Sequence, residues 1–376
     1  MKKRKITRTA LTVTLVLALM LPLAACGKTA GDSSEDDTVY SIGFNTWGAG
    51  VPIFDAMGDE IAYSLSVYGA ETSRVSDDFT AERELENIQN FISAGIDGIA
   101  MQIATDPVLS QAASACKDAK IPFTLSIFVG DDDDRAQMAA GNEYFAGAVS
   151  CDLYGDGYLM GETALVDGHK TAVLVGGNIG DKNIDLKAAG FTASFEAGGG
   201  KVLDAARCTS AVECQEKASA VLSSNRDVDC LYAMVGDYLS GSIVALDNLG
   251  LDDVAVYVSN ADKATADYIK EGRVASGTGG SDLASGISAA LLINYLDGNM
   301  IRDENDNAPD LKTSAFIITS ENADDYIALF YTDGTHPISE STLKSLVSRF
   351  NPDANYETFV TLVNEGLTLE ALLAAQ

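Results

Sequence analysis

Positive charge is scarce in this chain. Its 376 residues hold 25 Lys plus Arg against 55 Asp plus Glu, a net charge of −30. Five of those cations (Lys2, Lys3, Arg4, Lys5, Arg8) stand in the first 25 residues, which contain no acid, so the remainder carries 20 cations against 55 acids, or −35. Such a chain has no basic face to displace phosphate counterions, which excludes nucleic acid as a partner. It also lacks the polybasic cluster of a membrane-surface protein. Only two histidines are present and no cysteines have CxxC spacing, which argues against a structural zinc site. No Gly-x-Ser-x-Gly elbow, HExxH pair or Walker loop is found, and Gly176-Gly177-Asn178-Ile179-Gly180 lacks the third glycine of a dinucleotide loop. No metal or cofactor is therefore expected. Apolar substance is not lacking. Hydrophobic residues make up 47% and charged residues 21%, enough for a large core rather than disorder. The length exceeds one common core and predicts two lobes.

The N-terminus reads as an address. A basic block, Met1 to Arg8, precedes an apolar run, Ala10 to Leu19, then Leu23-Ala24-Ala25-Cys26. Basic start, short apolar stretch and small residues before a cut mark an export signal. The run is too short for an ordinary membrane span. Leu-Ala-Ala-Cys resembles the bacterial lipobox, which would make residues 1–25 a signal peptide and Cys26 the lipidated first residue. Residues 26–37, small, polar and acidic, read as a flexible tether. Five cysteines remain. Cys208 and Cys214 lie close enough in sequence to pair, the odd count leaves at least one free thiol, and Cys151 and Cys230 sit at strand-like positions in the core.

From Val39 the chain alternates short apolar runs with amphipathic stretches. Strands are expected at Val39 to Phe44, Glu71 to Ser76, Ile96 to Ile103, Ile121 to Val129, Ala146 to Cys151 and Thr171 to Gly176. Further strands are expected at Val202 to Ala206, Cys230 to Val235, Val254 to Ser259, Val274 to Gly277 and Ser314 to Thr319. Gly95 is a helix stop, and Asp106-Pro107 a helix start. This rhythm predicts an α/β protein with two Rossmann-like lobes, each built on a parallel sheet. Asn299 to Leu311 is polar and reads as a linker, and Asn322 to Gln376 as a helical tail.

Ligands of such sheets bind beyond the carboxyl ends of the strands. The residues that follow the strands are Asn45 and Trp47, then Gln102, Thr105 and Asp106, then Phe128, then Asp152 and Tyr154, then Asp237 and Asn260. Amides, carboxylates and aromatic rings suit a neutral, polyhydroxylated ligand. The acidic run Asp131 to Asp134 lacks the glycine and distal glutamate of an EF-hand loop and reads as a solvated turn. His169 and His336 read as surface residues.

Several stretches, in order, resemble the periplasmic sugar-binding proteins of ABC importers, of the ribose/galactose type with a core like that of the lactose repressor. They are Val51-Pro52-Ile53-Phe54, Glu86 to Ile99 (ENIQNFISAGIDGI), Asp106-Pro107, Ala119-Lys120-Ile121-Pro122-Phe123, Asp152 to Gly157 with Gly161, Gly190-Phe191, Gly236-Asp237 and Glu271 to Val274. The resemblance covers roughly residues 39–298 and implies two lobes joined by a three-crossover hinge. The crossings are expected near Val166-Asp167, Gly279-Ser281 and Asn305-Leu311. That gives a first lobe of 38–166 plus 281–311, and a second of 167–280 plus 312–376 with the tail.

The resemblance matches Asn45, Trp47, Asp152, Asp237 and Asn260 to the family's ligand positions, and Asp106, Phe128 and Tyr154 from the strand ends complete the candidate set. Phe128 and Asp185 fall where the family commonly has arginines, which points away from a simple hexose or pentose. The implied function is a non-enzymatic, extracytoplasmic, lipid-anchored monomer that passes a sugar-like ligand to an ABC permease. A sensor for a nucleoside or signal molecule acting through a membrane receptor, and a hydrolase on the same scaffold, are the alternatives.

Overall fold

The computed structural model describes residues 39–103 and 106–376. The signal segment, Cys26, the tether and Thr105 lie outside the described residues. The first run of elements is β1 (Ser41–Thr46), α1 (Pro52–Val67), β2 (Glu71–Ser76), α2 (Ala81–Ala94), β3 (Gly98–Ile103), α3 (Asp106–Ala119), β4 (Phe123–Val129), α4 (Asp132–Gly141) and β5 (Phe145–Cys151). The second is α5 (Leu153–Val166), β6 (Thr171–Val175), α6 (Lys182–Ala197), β7 (Lys201–Ala206), α7 (Ala211–Ser224), β8 (Cys230–Ala233), α8 (Leu239–Leu249), β9 (Ala255–Val258), α9 (Lys263–Lys270) and β10 (Ser276–Gly279). The chain ends with α10 (Ala284–Leu296), β11 (Asp310–Thr313), β12 (Phe316–Ile318), α11 (Ala323–Phe330), α12 (Glu340–Ser345), α13 (Tyr356–Thr361) and α14 (Leu369–Ala374).

Local chemistry sets many of these bounds. The Thr80 hydroxyl accepts from Arg83 N at the start of α2, and Gly95 stops that helix in the left-handed region at φ 71°. Strands β3, β8 and β10 are buried at every position, which is why they read as continuous apolar or small-residue runs.

The strands form two six-stranded sheets. The first has the order β11-β5-β4-β3-β1-β2 and is parallel throughout. The second has the order β12-β10-β9-β8-β6-β7 and is parallel except for β12, which runs antiparallel to β10. The two-lobe expectation therefore holds.

The crossings differ in two places. Helix α5 packs along α6 and on the strands of the second sheet, so the first passage lies at Cys151-Asp152 rather than near Val166-Asp167. The second lies between β10 and α10, as expected, because α10 packs on β3, β4 and β5. The third lies at Ser314-Ala315, between β11 and β12. Strand β11 falls where a linker was expected. Its inward residues are only Leu311 and Thr313, too few to show a period in a polar stretch.

Helices α5 and α6 meet through glycines. A Cβ on Gly157 would stand 2.0 Å from the Lys187 carbonyl oxygen, and one on Gly190 would stand 2.0 Å from that of Tyr154. Both obstacles are backbone, so the close approach requires glycine on each helix.

The tail does not belong to one lobe. Helix α11 packs on α9 of the second lobe, whereas α12 packs on α1 and α10 of the first. Asn294 Nδ2 donates to Leu346 O at 2.8 Å, and Ser348 N donates back to Asn294 Oδ1 at 2.9 Å. The Arg349 guanidinium donates to the Asp297 carboxylate and to Tyr68 O. His336 is not a free surface residue, since its ring stacks on Tyr63 of α1 at 3.4 Å. Cys208 and Cys214 form a disulfide, and Cys116, Cys151 and Cys230 are free.

Candidate functional site

The carboxyl edges of the two sheets face one another. Lys182, the first residue of α6 in the second lobe, pairs with Asp106 at 3.2 Å and Asp131 at 3.4 Å, at the starts of α3 and α4 in the first lobe. Each of those helices begins beyond the carboxyl end of a strand, so the space between them is the cleft where ligands of open sheets bind. Asp106 is thus placed at the cleft but engaged by Lys182. The three side chains are about half exposed, and the pairs contribute at most about 1 kcal/mol. Asp131 also caps α4, accepting from Asp133 N at 2.9 Å.

On the first lobe's edge, Asn45 is fully buried. Its Nδ2 donates to Asp77 Oδ2 and to Gln102 O, both at 2.7 Å, and its Oδ1 accepts from Gln102 N at 3.0 Å. Every polar atom of that amide is engaged inside the protein, so Asn45 braces the loop instead of facing the cleft. Gln102 Oε1 accepts from Trp47 N at 2.6 Å and fixes the loop that carries the indole. Asp77 also accepts from Asn87 Nδ2 at 2.8 Å. Trp47 and Phe128 are both half-buried and are brought into one row by two further rings. Trp47 meets Phe79 at 6.3 Å, Phe79 meets Phe54 at 6.0 Å, and Phe54 meets Phe128 at 6.4 Å, each edge to face. Phe54 sits in the Val51-Pro52-Ile53-Phe54 motif that the resemblance quoted, so its presence was open to notice.

The second lobe's edge holds a buried polar floor. Lys187 and Asp156 are 2% and 3% exposed and pair at 3.4 Å. Lys187 Nζ also donates to Met234 O at 3.4 Å. Asp156 Oδ1 accepts from Ser259 Oγ at 2.9 Å, and that hydroxyl shares a 2.6 Å hydrogen bond with Tyr232. Asp237 stands nearby with no side-chain hydrogen bond among the described residues, pushed up to about 6 by burial and by Asp262, against the pull of Lys187. Asp152 caps α5, accepting from Gly155 N at 3.0 Å. Tyr154 is exposed and tilts against Tyr158, away from the cavities described next. Asn260 has a left-handed backbone at φ 58°, and its Oδ1 accepts from Ser281 Oγ at 2.7 Å.

Two small cavities lie where the lobes join. One is lined by Cys151, Asp152, Asp156, Ser281, Thr313 and Ser314, so the three passages between lobes meet around it. The other is lined by Ile53, Asn260, Ser281, Asp282, Tyr326 and Tyr331, from both lobes, the hinge and the tail. Among the described residues, no group of three or more His, Cys, Asp or Glu is placed to hold a metal ion. No helix among them is long and apolar enough to cross a membrane.

Three carboxyls of this region, Asp77, Asp237 and Asp282, are each raised to about 6, chiefly by burial. A raised carboxyl favours folding fully below its unfolded value of about 4, and that contribution is lost as pH rises through about 6. Glu213 acts the other way. Lys217 and bonds from Thr209 hold it down at about 2, so its contribution is present above about 4.5 and lost on further acidification. The unliganded protein should therefore melt at a higher temperature at pH 5 than at pH 7.5, and at a lower one again below about pH 4. A melting temperature that climbs steadily from pH 5 to 7.5 would contradict these assignments.

Residues 42–300 match the family model described as periplasmic binding protein domain. No curated protein sequence matches the chain. Among solved structures, similarity is found to the periplasmic component of the arabinose ABC transporter of Shewanella sp. ANA-3, bound to α- and β-L-arabinofuranose. The TM-score is 0.67 and the identity 17%, over 77% of this chain and 95% of that one. A solute-binding protein from Bacillus halodurans C-125 with bound myo-inositol has TM-score 0.66 and 20% identity, over 78% and 99% of the two chains. A periplasmic ribose transporter protein from Conexibacter woesei DSM 14684 has TM-score 0.66 and 17% identity, over 79% and 97%. At these identities the likeness to solved structures is one of fold.

Proposed function

We infer the function from one premise: the chain belongs to the periplasmic binding protein domain family. It is a solute-binding protein that takes a sugar or sugar-like ligand into the cleft between its lobes and passes it to an ABC importer. The observation that carries this reading is the pair of facing carboxyl edges, with an aromatic row on one and carboxylates and amides on the other. Rings pack against sugar C–H faces, and polar groups take the hydroxyls. A ligand held by both edges favours the closed arrangement, which is the shape a permease would recognise. The family and its solved neighbours are binding proteins, and we read this chain as one that returns its ligand unchanged. It works outside the cytoplasm, held to the membrane through lipid on Cys26.

Titration calorimetry against monosaccharides, inositols and nucleosides tests the reading. Saturable binding of a sugar or inositol supports it, and binding confined to nucleosides, or turnover of the ligand, sinks it. Trp47 is the single tryptophan, so its fluorescence should report binding directly. Trp47→Ala should weaken affinity about tenfold or more, since an aromatic face contributes on the order of 1 kcal/mol beyond the area it buries. Unchanged affinity in that variant removes Trp47 from the site.

A further inference from the structure

The cavity where α1, the hinge and the tail meet holds a buried carboxyl that no cation among the described residues balances. Asp282 lines it and is 8% exposed. Its carboxylate accepts from its own backbone N–H, and among the described residues no side chain donates to it and no cation acts on it. One helical face of α1 continues the wall inward. Ile53 and Ala56 line the cavity, and Glu60, at the same helical spacing one turn on, is 3% exposed with its Oε1 unpaired. Burial, with Asp282 adding to it, holds the Glu60 carboxyl well above its ordinary range and favours its neutral form. A buried carboxylate in such a place is costly unless something positive joins it.

The remaining groups do not supply that charge. Lys182 and Lys187 are already paired elsewhere. The Ser281 hydroxyl is given to Asn260. The hydroxyls of Tyr326 and Tyr331 both donate to Ala261 O, at 2.6 and 3.1 Å, so their protons are engaged. What the tyrosines add to the wall is aromatic ring. A sugar hydroxyl both donates and accepts, whereas an ammonium only donates. A cavity of spare acceptors and aromatic wall fits the donor-only group, and rings add attraction to a cation.

We propose that this cavity receives the protonated amine of a polyhydroxylated ligand, an amino sugar or an aminocyclitol, with Asp282 as its direct acceptor. This rests on the sugar-binder reading above and narrows it. It also departs from the neutral ligand that the sequence suggested.

The test is titration calorimetry on the purified full chain at pH 7 with D-glucosamine, D-galactosamine and D-mannosamine. Their N-acetyl forms and the neutral parent hexoses are run alongside, and each series is repeated with sodium and with potassium as the salt. At least one amine should bind about tenfold or more tighter than both its N-acetylated and its neutral counterpart, the difference a charged hydrogen bond supplies. Asp282→Asn should reduce that preference to about twofold or less and raise the melting temperature of the unliganded protein, since it removes an uncompensated charge. A neutral hexose that binds as tightly as its amine overturns the proposal and leaves the carrier reading standing. So does a preference that survives in Asp282→Asn. Potassium that raises the melting temperature without sugar, and abolishes the amine preference, assigns the cavity to an inorganic cation and overturns it too. No binding by any member of the panel overturns the proposal and leaves the carrier reading to the pentoses and inositols.

Discussion

Replacing Lys187 by alanine should cost about 3–5 kcal/mol of folding stability, the usual penalty for stranding one partner of a buried ion pair. Lys187 and Asp156 are 2% and 3% exposed, so water cannot take over the role of the lost ammonium. Asp156 would keep a single hydrogen bond, from Ser259, and Met234 O would lose its donor. Asp237 would lose the charge that draws it down and would move further above its ordinary range. Chemical denaturation measures the effect. A second variant separates charge from packing. Joint replacement by Lys187→Met and Asp156→Leu leaves no stranded charge and should recover most of the loss. A single variant that costs under about 1 kcal/mol would show that the pair is hydrated and does not support the floor.

Removing the tail should have the largest effect of all. A chain ending at Thr319 should fail to reach a soluble, cooperatively folded state. The segment beyond it buries Tyr326, Leu329, Ile338, Leu343, Leu346, Val347, Phe359 and Leu372 in the same core as α1 and α10. Each such side chain contributes about 1.5–3 kcal/mol by leaving water, and the sum, about 12–24 kcal/mol, is comparable to or larger than the roughly 5–15 kcal/mol of net stability of an ordinary domain. Near-ultraviolet dichroism and a melting curve give the outcome. A truncated protein with a sharp transition and intact ligand binding would mean that the tail only decorates the surface.

The parts that were readable from sequence are those where one physical pattern dominates. Strands buried on both faces must be short and apolar, so the βαβ alternation showed through, as did the Gly95 stop. The passage at Cys151-Asp152 was hidden because β5 gives way to α5 after one residue, with no change in composition to mark it. Asn45 was expected just beyond the first strand and lies within β1, and its engagement by Asp77 and Gln102 depends on two other strand ends. Lys187 was missed because a lone lysine on a helix is normally a solvated one. A signal existed: Lys187, Gly190, Phe191 and Ser194 fall at helical spacing on one buried face of α6. Glu60 stands in the same relation to Met57, Ile61 and Ser64 on α1. A charged residue inside an apolar stripe is the pattern to look for at such sites.

The double attachment of the tail bears on how the protein comes to be folded. Helices α1 and α10 of the first lobe wait for α12, which is among the last elements to be synthesised. Most multidomain chains complete their N-terminal unit while the rest is still emerging. Here part of the first lobe's core contact comes from α12, so that lobe cannot be completed until nearly the whole polypeptide is available. Postponement of that kind is what a chain needs if it must thread through a membrane before it takes its shape, and in this molecule it is built into the order in which the two lobes receive their parts.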